Sequence, residues 1–110
     1  MHGLSETVDL GFLLGRRLDQ VRLGLYQVQL VFDRDVSVDV EGEFTVDGTL
    51  CRVKDAHILH TVLGEYVQQV TRRGRGDLAL NFDSHFLVLH DSNDDYESYT
   101  LHNGSELIVV

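Results

Sequence analysis

LLGRRLDQVRLGLYQVQLVFD, residues 13–33, has a partner later in the chain. The partner is VLGEYVQQVTRRGRGDLALNFD, residues 62–83, and it keeps the first segment's markers in order. Leu14-Gly15 answers to Leu63-Gly64, Gln20-Val21 to Gln69-Val70, and Phe32-Asp33 to Phe82-Asp83. The offset grows from 49 at the start to 50 at the end, so one residue has been added in between, at or near 72–76, where a hairpin turn tolerates it. Continuing at the same offset, Val36 and Val38 answer to Phe86 and Val88. Further on, Phe44-Thr45-Val46 before Asp47-Gly48-Thr49 answers to Tyr99-Thr100-Leu101 before Asn103-Gly104-Ser105. The reading is an internal duplication, about 8–53 and 57–110, within one domain.

Each segment begins with a helix signal. Val8, Leu10, Phe12, Leu13 and Leu14 suggest a short helix over 7–14, weakened by Gly11 and ended at Gly15, a favoured C-terminal glycine; the second helix starts from a capping Asp55, turns Ile58, Leu59, Val62 and Leu63 to one face and ends at Gly64. Strands follow. Tyr26, Val28, Leu30 and Phe32 alternate with Gln27, Gln29 and Val31, and Val36, Val38 and Val40 alternate with Ser37, Asp39 and Glu41, the period of a strand with one buried and one wet face. Asp47-Gly48 carries the turn chemistry of a tight hairpin, and Asn103-Gly104 repeats it. The remaining strands are placed at 18–23, 44–46, 50–53, 66–72, 78–82, 86–90, 96–101 and 106–110. The fold class expected is α+β, β-rich, with two similar helix-plus-meander halves forming a small sandwich or open barrel.

At fixed offset, Leu87 and Leu89 fall where the first half has outward Ser37 and Asp39, and His90 falls at the inward place of Val40. The strand from residue 86 is then apolar on both sides, as is the terminal Leu107-Ile108-Val109-Val110. Such strands are covered on both faces. The cover is either the chain's own helices or an interface, for which Leu87, Leu89 and Val109 are the candidate apolar residues.

With 110 residues the chain is long enough for one independent core. Nine basic against eighteen acidic residues give a net charge of −9, which opposes a phosphate backbone as partner; no nucleic acid is expected. Arg72, Arg73 and Arg75 are read as solvated turn residues. No apolar run is long enough to span a bilayer, and the N-terminal residues lack the basic start of a secretory signal, so no membrane partner and a cytoplasmic location are expected. Cys51 is the single cysteine and reads as a small buried apolar residue.

Candidate chemistry is sparse. His57 and His60, three apart on the second helix, could offer two imidazoles to one metal, but at helical spacing they lie opposite the apolar face, toward solvent. Residues 91–97, DSNDDYE, begin like a calcium loop, yet Tyr96 and His102 stand where the glycine and glutamate of an EF-hand belong. No nucleophile elbow, phosphate loop, zinc-protease helix or paired cysteine motif occurs. No catalytic residue is named, and no cofactor or metal is expected. The order LLG-x-x-L-x-x-V, a strand ending in Phe-Asp, and Tyr96-Glu97-Ser98 before a terminal strand resembles a group of small uncharacterised bacterial proteins with a domain-of-unknown-function label. That resemblance implies no functional residue.

The functional expectation is a non-enzymatic binding or interaction module, of the kind an acidic inhibitor or immunity-type protein represents. Its partner would be a basic protein meeting an acidic surface of Asp39, Glu41, Glu43, Asp91, Asp94, Asp95 and Glu97, or a second copy of the chain as a homodimer. The alternative is a small metal-assisted enzyme or ligand-binding barrel, which requires His57, His60, His90 and the 91–97 carboxylates to converge.

Overall fold

A computed structural model describes residues 9–74, 76–91 and 98–110. Ten strands and two 3₁₀ helices alternate along it: the first helix (Gly11–Leu13), β1 (Leu18–Leu23), β2 (Val28–Phe32), β3 (Val36–Val40), β4 (Phe44–Val46), β5 (Thr49–Cys51), the second helix (Val53–Val62), β6 (Gln69–Arg73), β7 (Asp77–Asn81), β8 (Phe86–Leu89), β9 (Tyr99–Asn103) and β10 (Glu106–Val109). All pairings are antiparallel, in two five-stranded sheets of order β1-β2-β3-β9-β10 and β5-β4-β8-β7-β6. The inner faces of both sheets join one hydrophobic core, and no closed barrel forms.

Replacing β1–β5 by β6–β10 turns one sheet order into the other. Each sheet takes three strands from one half of the chain and a hairpin from the other. The halves are therefore not self-contained meanders, because β4–β5 leaves its own sheet to pair with β8, and β9–β10 pairs with β3. A short meander alone leaves its core face uncovered, and exchanging hairpins buries the face of both.

The two halves meet in matched bonds. Gly15 N–H donates to Val67 O and Gly64 N–H to Leu18 O, both at 2.8 Å; Leu18 N–H donates to Glu65 O and Val67 N–H to Arg16 O, both at 2.9 Å. Between them Arg17 and Tyr66 form a β-bridge. Arg17 N–H donates to Asp33 Oδ1 at 2.9 Å, and Tyr66 N–H to Asp83 Oδ2 at 3.1 Å. The recurring markers are the residues these bonds require: Gly15 and Gly64 turn the chain at φ 80 and 86, where a side chain is strained, and the two aspartates cap the bridge.

Register corrects the alignment past the aspartates. Val28 pairs Val40 and Leu30 pairs Val38, whereas Leu78 pairs Leu89 and Leu80 pairs Leu87. Leu89 thus takes the place of Val40 and Leu87 that of Val38. The cause lies in the turns. Between β2 and β3 three residues intervene, with Arg34 and Asp35 at φ 58 and 61, while Phe82 N–H closes on His85 O across only two. One residue fewer slips the register, and a one-residue slip exchanges the faces. Leu87 and Leu89, expected on the outside, are buried at 0% and 1% exposure, and His90 corresponds to Glu41 rather than to Val40. Phe86 and Val88 take the other face, where Val88 is still buried at 3% exposure, so β8 is covered on both sides as expected.

The second helix also departs from expectation. Ala56, Leu59 and Val62 are its buried residues, spaced by three as a 3₁₀ helix dictates, while Leu63 is 41% exposed and Ile58 half-buried. Asp55 caps it from inside the first turn, its Oδ2 accepting the Arg52 N–H at 3.1 Å. Of the expected first helix only Gly11–Leu13 is helical; residues 7 and 8 lie outside the described residues. Cys51 is buried, and burial, with Asp55 nearby, pushes its thiol up. The Asp47-Gly48 turn holds both residues at positive φ, 50 and 87, as the strand twist requires. In the last hairpin Asn103 pairs Glu106, so Gly104 and Ser105 make the turn, with Gly104 at φ 61. Among the described residues no helix is long and apolar enough to cross a membrane.

Candidate functional site

One end of the molecule gathers chain from both halves. The β3–β4 link arrives through Glu41 N–H and Gly42 N–H, which donate to Ser98 O at 3.0 and 2.9 Å. His90, just past β8, donates its N–H to Glu43 O at 3.1 Å. Asp91 N–H donates to Asp77 Oδ1 at 2.9 Å, and Ser98 Oγ to Asp91 Oδ1 at 3.3 Å. Tyr99, fully buried, donates its hydroxyl to Gly76 O at 2.5 Å; burial raises its pKa, with the Asp91 and Asp77 charges adding to it. A Cβ at Gly76 would overlap the Asp91 side chain, so the turn before Asp77 needs glycine.

At the centre is a three-residue chain. Asp77 Oδ2 lies 3.0 Å from His90 Nδ1, and His90 Nε2 lies 2.5 Å from Thr45 Oγ1. A carboxylate only accepts, so Nδ1 carries a proton, and in the neutral imidazole Nε2 then accepts from the threonine hydroxyl. Thr45 projects outward because Phe44 and Val46 on either side fill the core. The His90 and Asp77 side chains are 27% and 34% exposed, so the chain borders solvent.

The expected acidic surface divides. Glu41, Glu43 and Asp91 stand at this end; Glu41 is exposed, and Glu43 pairs with Arg52 at 3.5 Å. Asp39 lies instead on the outer face of the first sheet, accepting from Gln29 Nε2 and facing His102 Nε2, each at 2.9 Å. Asp94, Asp95 and Glu97 lie outside the described residues. The expected apolar interface is corrected: Leu87 and Leu89 fill the core because of the register slip, and Val109 is half-buried on the edge strand beside Leu107, itself 59% exposed. Among the described residues the most exposed apolar side chains are Leu25 and Tyr26 on the β1–β2 hairpin tip; the expected place of Tyr26 on the buried face is corrected, because it lies in the turn and β2 begins only at Val28.

His57 and His60 are exposed on the second helix, whereas His90 is engaged by Asp77 and Thr45. Among the described residues no three His, Cys, Asp or Glu side chains are grouped to hold a metal ion. The Arg73 guanidinium lies 5.1 Å over the Phe86 ring, and Arg75 is outside the described residues. Sequence reasoning missed Thr45, Asp77 and the pair His85 Nδ1 to Glu65 Oε2 at 2.7 Å.

Comparison with protein-family models, with curated proteins and with solved structures finds no match to this chain.

Proposed function

We propose that the chain is a cytoplasmic binding module whose acidic end, around Glu41, Glu43, Asp77 and Asp91, receives a basic segment of a partner protein. The observation that carries this reading is that hydrogen bonds tie the β3–β4 link carrying Glu41 and Glu43, the start of β7 at Asp77, and Asp91 just past β8 together at one end of the molecule. Clustered like charge on a chain of net −9 raises the negative potential at that end and steers cations to it. It also disfavours pairing of this end with its own copy. An acidic inhibitor or immunity-type protein works by such a surface.

The experiment is a fluorescence-anisotropy titration of a labelled oligo-arginine peptide at about 0.15 M salt, where the screening length is about 8 Å. Saturable binding that falls about tenfold in the Glu41→Lys/Glu43→Lys variant supports the reading, at ~1.4 kcal/mol per tenfold change. Equal binding by the variant refutes it. Affinity capture from the source cell with the same pair of proteins then identifies the partner.

A further inference from the structure

We infer that Thr45 is a nucleophile primed by His90 and positioned by Asp77, and that it accepts acyl groups from esters of short aliphatic acids. This goes beyond the binding reading and does not depend on it. The groups stand in the order acyl transfer needs: a carboxylate on Nδ1, an imidazole, and a hydroxyl on Nε2 at 3.0 and 2.5 Å. The carboxylate is itself fixed, since its other oxygen accepts the Asp91 N–H at 2.9 Å.

The matching arrangement of the two halves supplies an internal control. By register, the positions of Asp77, His90 and Thr45 are held in the other half by Gln27, Glu41 and Thr100. Those residues hold no imidazole and so cannot form the carboxylate–imidazole–hydroxyl relay, and Thr100 is buried at 7% exposure while Thr45 is more open. The fold therefore forms at the equivalent place without it. Thr45 lies on the outer face between Val88 and Leu50, its pairing neighbours, and Leu50 is 60% exposed. Leu50 gives an acyl chain apolar surface beside the hydroxyl, while Val88, at 3% exposure, is buried on the other side.

In the step, Thr45 Oγ attacks the ester carbonyl carbon while its proton passes to His90 Nε2. The bond to the alcohol oxygen breaks, and His90 returns the proton to the departing alkoxide. Water then attacks the acyl-threonine with His90 taking its proton, releasing the carboxylic acid and restoring the hydroxyl.

The test incubates the full chain with p-nitrophenyl acetate, following nitrophenolate release and the intact mass, with peptide mapping of any acetyl group. The expected result is acetylation at Thr45, retained in Thr45→Ser and abolished in Thr45→Val. His90→Gln lowers the rate about a hundredfold, the low end for loss of a general base. Asp77→Asn lowers it and moves the inflection of its pH–rate profile, which a purely structural role would not do. Thermal melting of Thr45→Ser and Thr45→Val separates lost chemistry from lost fold. Wild type no faster than Thr45→Val, or acetylation found only elsewhere, overturns the inference.

Discussion

Phe32 and Phe82 stack with ring centroids 6.3 Å apart and planes inclined by 10°, each the last apolar residue of its Phe-Asp pair and each contributed by a different half. The rings adjoin the Arg17–Tyr66 bridge through Asp33 and Asp83, which cap it. Burial and stacking act together there. Replacing either ring by leucine is expected to cost about 1–2 kcal/mol, and a double-mutant cycle to return a coupling of about 0.5–1.5 kcal/mol. Urea denaturation of the two single variants and the double variant measures both.

Gly15 and Gly64 have open space where a Cβ would go, so alanine there is opposed only by the backbone at φ 80 and 86. Each alanine should cost about 1–2 kcal/mol, and the two costs should agree because the two turns donate matching bonds. Asparagine, which tolerates positive φ, should recover part of the loss in the same melts.

Asp33 accepts the Arg17 N–H, which holds its carboxyl below the usual range, with the Arg16 and Arg17 charges assisting against desolvation. A lowered folded value means stability that is present above about pH 3.9, the ordinary carboxylate value, and is lost as pH falls through the folded value. Asp33→Asn should flatten the acid limb of a plot of stability against pH. An unchanged acid limb would show that the bond is not made in solution.

Tyr99 behaves oppositely. Its phenol is raised by burial, so its contribution is complete below about pH 10, where the unfolded chain begins to ionise, and is lost as pH rises further. Tyr99→Phe should remove this alkaline slope while costing about 1 kcal/mol at neutral pH for the lost bond to Gly76. Chemical denaturation at neutral and alkaline pH reads both effects.

Much of this architecture was legible from the chain alone, because alternation such as Val36, Val38, Val40 and turns such as Asp47-Gly48 are local physics. The exchange of hairpins between sheets was not, since β4 pairs as readily with β8 as with β3 when only apolar pattern is considered. Two compensating length changes, a residue gained before Asp77 and one lost after Asp83, hid the slip that buries Leu87 and Leu89. The α face expected from Ile58, Leu59, Val62 and Leu63 gives way to the 3₁₀ row of Ala56, Leu59 and Val62, because apolar residues at 59 and 62 fit both periods. At the candidate site His90 was visible, but Thr45 and Asp77 come to it across strand pairings that no spacing encodes.

The acidic end is tested most directly by two charge reversals of equal size. Glu41 lies beside Ser98, just before β9, and Glu106 faces Asn103 at the other end of that strand, about 17 Å along it at ~3.4 Å per residue. In anisotropy titrations with the oligo-arginine peptide, Glu41→Lys should weaken binding about fivefold and Glu106→Lys less than about twofold, against ~1 kcal/mol for a local ionic contact. Equal losses in the two variants would make the attraction a property of net charge and contradict a localised site.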